Sequence, residues 1–236
     1  MTVPAIHRVT RLDLFFSDWR WPFAEQRRAE IDAYFAARRV EKPAMFNGRV
    51  LLARHPLFTG ERLSTEYFET DFASFLAWRD WGFSDRDVLN GFGMGALRSN
   101  DGAFVLGEMG PHTANAGRIY FAAGTPDLND VRGDTVDIAG SVLREVEEEL
   151  GLTVHDFRSA DEWCCVVTDH AIAMMRVLTS DLPGDVLRQK LKANLAAQAE
   201  PELSDIHLVR SIADFTPTMP VFVTAFLEAQ FEPAAG

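Results

Sequence analysis

Three glutamates, Glu145, Glu148 and Glu149, stand in the run Leu143-Arg144-Glu145-Val146-Glu147-Glu148-Glu149-Leu150-Gly151-Leu152. On a helix, at about 100° per residue, all three fall within an arc of about 100°. Val142, Leu143, Val146 and Leu150 fill the neighbouring arc, so one face is apolar and the next presents three carboxylates. Like charges this close repel one another, and a divalent cation between them removes the repulsion. Ligation by oxygen alone suits Mg²⁺ or Mn²⁺. The competing reading is a solvated acidic helix face, which runs of charge commonly are.

The order of the residues separates the two readings. Residues 144–152 match R-E-U-x-E-E-x-G-U, with U apolar, at every specified position. This is the second half of the Nudix box, and the chain resembles Nudix hydrolases there. The resemblance implies hydrolysis of a nucleoside diphosphate linked to another group, by water attacking one phosphorus with the help of Mg²⁺ or Mn²⁺. Glu145, Glu148 and Glu149 are then the metal ligands, Glu145 and Glu149 belong to the catalytic set, and Arg144 orients the carboxylates. The residue chemistry agrees, because a negative phosphoanhydride repels the attacking water's electrons unless cations neutralise its oxygens. The water also needs a proton acceptor. Glu202, with Glu200 beside it, is the loop carboxylate proposed for that role, against the reading of a solvated loop. Arg98, His112, Asn115 and Arg118 lie near the predicted glycine turn and are candidates to hold phosphate or base, against ordinary loop and strand-end positions. His170, between two predicted strands, reads either as a general base or as a solvated turn histidine.

Upstream of the helix the pattern fails as written. The full box, G-x5-E-x7-R-E-U-x-E-E-x-G-U, places its glycine on Asp130 and its first glutamate on Val136 when counted back from Arg144. Gly124 is the expected counterpart of the glycine, which makes the loop 124–137 six residues longer than the pattern. Asp134 and Asp137 are candidates for the missing carboxylate, although Asp137 also suits the helix N-cap.

The net charge of −12 is unevenly placed: residues 1–90 hold equal numbers of both signs, so all of it falls in residues 91–236. Attraction to a nucleic-acid polyanion is not expected. No apolar run approaches membrane-spanning length, and the first residues lack a signal-peptide core, so a cytoplasmic protein is expected, with neither membrane nor nucleic acid as partner. Cys164 and Cys165 are adjacent in a predicted strand, where neighbours face opposite ways; buried thiols are expected rather than a disulfide.

The elements that position these groups divide the chain in two. Residues 1–88 predict an α+β N-terminal extension: a strand over 8–16, a helix over 23–39, strands over 49–53 and 62–70 with a turn at 56–60, and a helix over 72–81 capped by Asp71. Its tryptophans read as core, with stacking on a nucleotide base as the alternative. Residues 91–236 predict a Nudix hydrolase domain: a hairpin about Asp101-Gly102, a strand over 119–123, the acidic helix, an extended segment from 152, a second hairpin over 163–178, a helix over 185–199, a strand over 206–209 and a helix over 220–231. The fold class is α/β, a mixed sheet sandwiched by helices as in Nudix proteins. N-terminal extensions in nucleotide-sugar pyrophosphatases of that family imply a nucleotide sugar as first substrate class and a homodimer as an oligomer to test. Coenzyme-A derivatives and nucleoside triphosphates come second. The altered upstream half also motivates an alternative, a nucleotide-binding or regulatory module of weak or absent activity.

Overall fold

The computed structural model describes residues 3–43 and 45–232. Ala44 and the chain ends 1–2 and 233–236, which the sequence analysis included in its two parts, lie outside the described residues. The alternation over 8–16 is two strands, β1 (Ala5–Val9) and β2 (Arg11–Ser17), because Thr10 breaks it. The amides of Thr10 and Arg11 both turn to the carbonyl of Glu61. After α1 (Pro22–Gln26) and α2 (Arg28–Glu41) come β3 (Arg49–Thr59) and β4 (Arg62–Asp71). The turn expected at 56–60 is instead largely strand: β3 absorbs Pro56 through a register shift between Arg54 and Leu57, and the reversal is left to Gly60. Asp71 caps α3 (Phe72–Asp80) by accepting the Ser74 amide, as expected.

The second part follows with β5 (Val88–Arg98), β6 (Phe104–Met109), β7 (Ile119–Tyr120), the two-residue strands β8 (Val131–Arg132) and β9 (Thr135–Val136), and the acidic helix α4 (Ile138–Leu150). The hairpin β10 (Arg158–Val167) and β11 (Ala171–Thr179), α5 (Gly184–Ala197), β12 (Leu203–Val209) and α6 (Val221–Phe231) complete the chain. The segment at 152–154, expected to be extended, belongs to no strand; Asp156 closes it as a turn by accepting the Thr153 amide.

The sheet is mixed and continuous between the two parts, in the order β1-β10-β11-β5-β3-β4-β2-β9-β8, with β6 bonded to β5, β7 and β12. β11 and β5 run parallel, as do β2 and β4, while β3 meets only the start of β5, at Val88 and Leu89. Alternation along β5 explains the layers. Gly93 and Gly95 face α4 so closely that a Cβ on either would come within 2.5 Å of a methyl of Val142 or Val146. On the other face the Phe92 ring packs against Phe222 of α6. Helices therefore cover both sides of the strand.

A core of Leu51, Ala53, Leu63, Tyr67, Ile138, Val142, Cys165 and Met174 draws on both parts of the chain. Cys164 points to the other core. Both cysteines are free and buried, and burial pushes their thiols up, to about 11 for Cys164 and about 12 for Cys165. Trp21 and Trp78 are buried among aromatics of the first part, in agreement with the core reading. Among the described residues no helix is long and apolar enough to cross a membrane.

Candidate functional site

Helix α4 starts where the Asp137 carboxylate accepts the Gly140 amide and ends at Gly151, whose φ of 66° is a left-handed cap. The apolar arc is buried as expected at Val142, Val146 and Leu150, with Leu143 at the margin. The carboxylates form a gradient: Glu149 is 4 % exposed, Glu145 is partly buried and Glu148 is exposed. Glu149 accepts the backbone amide of Ala123, while its Oε2 is buried without a partner. Burial holds the Glu149 carboxyl well above the usual carboxylate range, and the charges of Glu202 and Glu145 push it further. Burial likewise raises Glu145 to about 7, with Arg144 opposing the rise and Glu148 and Glu202 adding to it.

Gly124 lies directly over this pair. A Cβ there would collide with the Glu145 carboxylate, so any side chain at this position displaces that group. This supports Gly124 as counterpart of the box glycine. The carboxylate that bonds Arg144 belongs to neither Asp134 nor Asp137. Asp137 caps the helix, and Asp134 turns its carbonyl to the Phe16 amide at 2.8 Å. Asp130, 1 % exposed, instead accepts Arg144 Nη1 at 2.7 Å. Arg144 Nη2 reaches Glu145 Oε1 at 3.4 Å. Gly124 and Asp130 are separated by five residues, so the G-x5-E spacing is intact with aspartate as its acid. The six additional residues form β8, β9 and their turn, inserted between Asp130 and the helix. They run to β2, where Phe15 pairs with Thr135.

No protein-family model matches the chain, and no curated protein does. Solved structures similar to it include proteins described as Nudix hydrolases. A MutT protein from Methanosarcina mazei Go1 shares 18 % identity over 60 % of this chain and 92 % of its own, with a TM-score of 0.37. The Nudix hydrolase RenU from M. smegmatis shares 12 % over 62 % of this chain and 88 % of its own, at 0.38. The functional reading rests on the side chains.

Glu202 faces the helix carboxylates closely enough to raise both Glu145 and Glu149, although no motif marks it. Its carbonyl accepts the Gly110 amide at 2.8 Å, which anchors the loop 110–118 at the site. His112 packs against Gly110. Asn115 donates to the Tyr120 hydroxyl at 3.2 Å, and Arg118 opposes the carboxylates' effect on that phenol. Tyr120, which sequence reasoning missed, is thereby held between Asn115 and the acids; burial pushes its hydroxyl above the usual range, with Glu149 and Glu202 adding to the rise. Its only signal is its place near the start of the strand expected over 119–123. Arg98 stands apart, at the end of β5 with its guanidinium over the Phe104 ring. Glu200 is exposed. His170 stacks on Phe83 with ring centroids 3.8 Å apart, and burial lowers its pKa. Among the described residues, no group of three or more His, Cys, Asp or Glu side chains is already arranged to hold a metal ion.

Proposed function

We propose that the chain is a Nudix-type, metal-dependent pyrophosphohydrolase acting on a nucleoside diphosphate linked to another group, with a nucleotide sugar as the first substrate class. One observation carries this reading: a carboxylate oxygen of Glu149, buried without a partner, stands among Glu145, Glu148 and Glu202 at the end of a helix bearing the R-E-U-x-E-E-x-G-U sequence. A buried unpaired carboxylate is costly, and the donor set is all oxygen, which fits Mg²⁺ or Mn²⁺. Glu145, Glu148 and Glu149 would hold the ion, with a side-chain rotation of exposed Glu148 to complete the set. When bound, such an ion neutralises phosphate oxygens and lowers the pKa of water.

The chain's own residues supply the rest. Arg144, braced by Asp130, fixes the Glu145 carboxylate. Glu202 takes the proton of the attacking water. Arg118, His112 and Asn115 bind phosphate from the loop 110–118. The proposal takes residues 1–88 as an extension and 91–236 as the hydrolase domain of a cytoplasmic homodimer that acts on small molecules.

A second reading, a nucleotide-binding module without turnover, is favoured by the altered upstream half of the box, where aspartate stands six positions after Gly124 in place of glutamate. One assay separates the two: purified protein with Mg²⁺ against nucleotide sugars, dinucleotides and nucleoside triphosphates, beside Glu149→Gln. Metal-dependent product from the native protein and not from the variant supports hydrolysis at this site. Binding without product from any of them sinks the enzyme, and equal activity in the variant sinks the site.

A further inference from the structure

A cavity of about 500 Å³ opens at the first turn of α4, where three irregularities of the chain meet. The bend at Thr10 brings Leu12 and Leu14 of β2 to one wall, and the insertion before α4 supplies Val136. The third is the register shift in β10 between Ser159 and Trp163, which leaves Asp161 without a partner in β11. Such shifts re-aim side chains and recur beside binding sites.

Two opposite charges line this cavity, Arg176 and Asp161. Arg176 of β11 stands across from Trp163, with its guanidinium 5.4 Å from the centre of the indole ring. Its Nε donates to the Ala160 carbonyl at 2.6 Å. That carbonyl carbon is bonded to the Asp161 nitrogen, so the guanidinium is anchored one peptide away from the carboxylate. Even so, among the described residues neither side chain is in an ion pair. Asp137, also in the lining, already accepts the Gly140 amide at 2.8 Å to cap α4. Leu12, Leu14, Val136 and Ile138 give the cavity an aliphatic side.

We infer that this cavity binds a free α-amino acid with a large apolar side chain. Its carboxylate meets the Arg176 guanidinium, whose planar fork matches that group. Its ammonium meets Asp161, and its side chain lies along Leu12, Leu14, Val136 and Ile138. An α-amino acid carries both charges on the neighbours of one carbon, and here the two complementary charges are held one peptide apart. A simple anion would meet the repulsion of Asp161 and Asp137, and a simple cation that of Arg176; a zwitterion is matched at both ends. The volume falls within the roughly 300–1,000 Å³ of small-molecule sites, which leaves room for a side chain as large as phenylalanine's. Glu145, Glu148 and Glu149 lie about two to three turns further along α4. The amino-acid site is thus separate from the candidate hydrolase site and does not depend on that reading.

The test is calorimetric titration with three probes: L-phenylalanine, 3-phenylpropanoate, which lacks the ammonium, and 2-phenylethylamine, which lacks the carboxylate. The native protein is expected to bind L-phenylalanine about fivefold or more tightly than either of the others. Asp161→Asn should bind L-phenylalanine no better than 3-phenylpropanoate, with an unchanged melting temperature because Asp161 is exposed. Arg176→Gln should bind it no better than 2-phenylethylamine. Arg176 also holds the Ala160 carbonyl, so Asp161→Asn alone decides the outcome where Arg176→Gln melts early. No saturable binding of L-phenylalanine, equal affinity for the three probes in the native protein, or a full preference for the zwitterion in Asp161→Asn overturns the inference. Glycine bound as tightly as L-phenylalanine overturns the placement of the side chain.

Discussion

Helix α4 and the loop before it build one site in opposite ways. The helix keeps each specified residue of its pattern, because its carboxylates, apolar arc and glycine cap are all locked to the 3.6-residue period. The loop keeps only positions in space. Gly124 leaves room for the Glu145 carboxylate, whereas the acid that braces Arg144 is Asp130 and six residues have entered after it. A helix tolerates no insertion without rotating its faces, and a loop tolerates one wherever its ends still meet.

That contrast can be broken first at its rigid end. Glu149→Gln should lower metal-dependent turnover by at least about 100-fold. Without metal its melting temperature should not fall, because the buried Oε2 has no hydrogen bond to lose. A turnover assay and a thermal melt check the pair of outcomes.

On the loop side, Asp130→Ala leaves the Arg144 guanidinium without its buried partner. Breaking a fully buried pair costs about 3–5 kcal/mol. Arg144 is 35 % exposed, so about 2–3 kcal/mol is expected after discounting for solvent, with a loss of metal affinity of about 10–100-fold. Denaturant melts and Mg²⁺ titration measure both. An unchanged titration would mean that the loop is only a connector.

Gly124→Ala sharpens the comparison at the contact itself. The new methyl displaces the Glu145 carboxylate, and about a tenfold fall in kcat is expected. The stability change should be small, because the loop backbone can shift.

The mildest probe is pH. Glu145 is raised to about 7 from the usual 4.5, so its contribution to the stability of the metal-free protein is full below pH 4.5 and is lost as pH rises through about 7. Cations compete with the protons on Glu145 and Glu149. Saturating Mg²⁺, about 2.7 kcal/mol at a hundredfold excess over Kd, should therefore raise the melting temperature more at pH 8 than at pH 5. The same shift at both values would place the cation elsewhere.

These differences also explain what was legible in the sequence. Helix α4, its Asp137 cap and its carboxylate face follow from local periodicity, as do the hairpin of β10 and β11 and the cap at Asp71; the turn at Asp101-Gly102 closes only on Arg98 and Phe104, beyond which β5 and β6 part to β11 and β12. The insertion hides Asp130 from a count backward from Arg144; counted forward from Gly124 the spacing is intact. The strand through Pro56 was misread because β4 holds the backbone in place on both sides of a register shift, and tertiary pairing outranks a turn-forming residue. Tyr120 and the nearness of Glu202 depend on the loop 110–118 folding back, which no local pattern encodes. Arg98 was chosen for closeness in sequence to a glycine turn, and its strand carries it to the Phe104 ring instead.

The bend at Thr10 bears on how the protein is made. β1 is synthesised well before its partner, Trp163–Val167 of β10. Until that segment emerges, Val9 and the edge of β1 have no cover, and an uncovered edge is open to pairing with another chain. Such distant pairing closes slowly. β1 is therefore exposed to such pairing for as long as β10 has yet to be made.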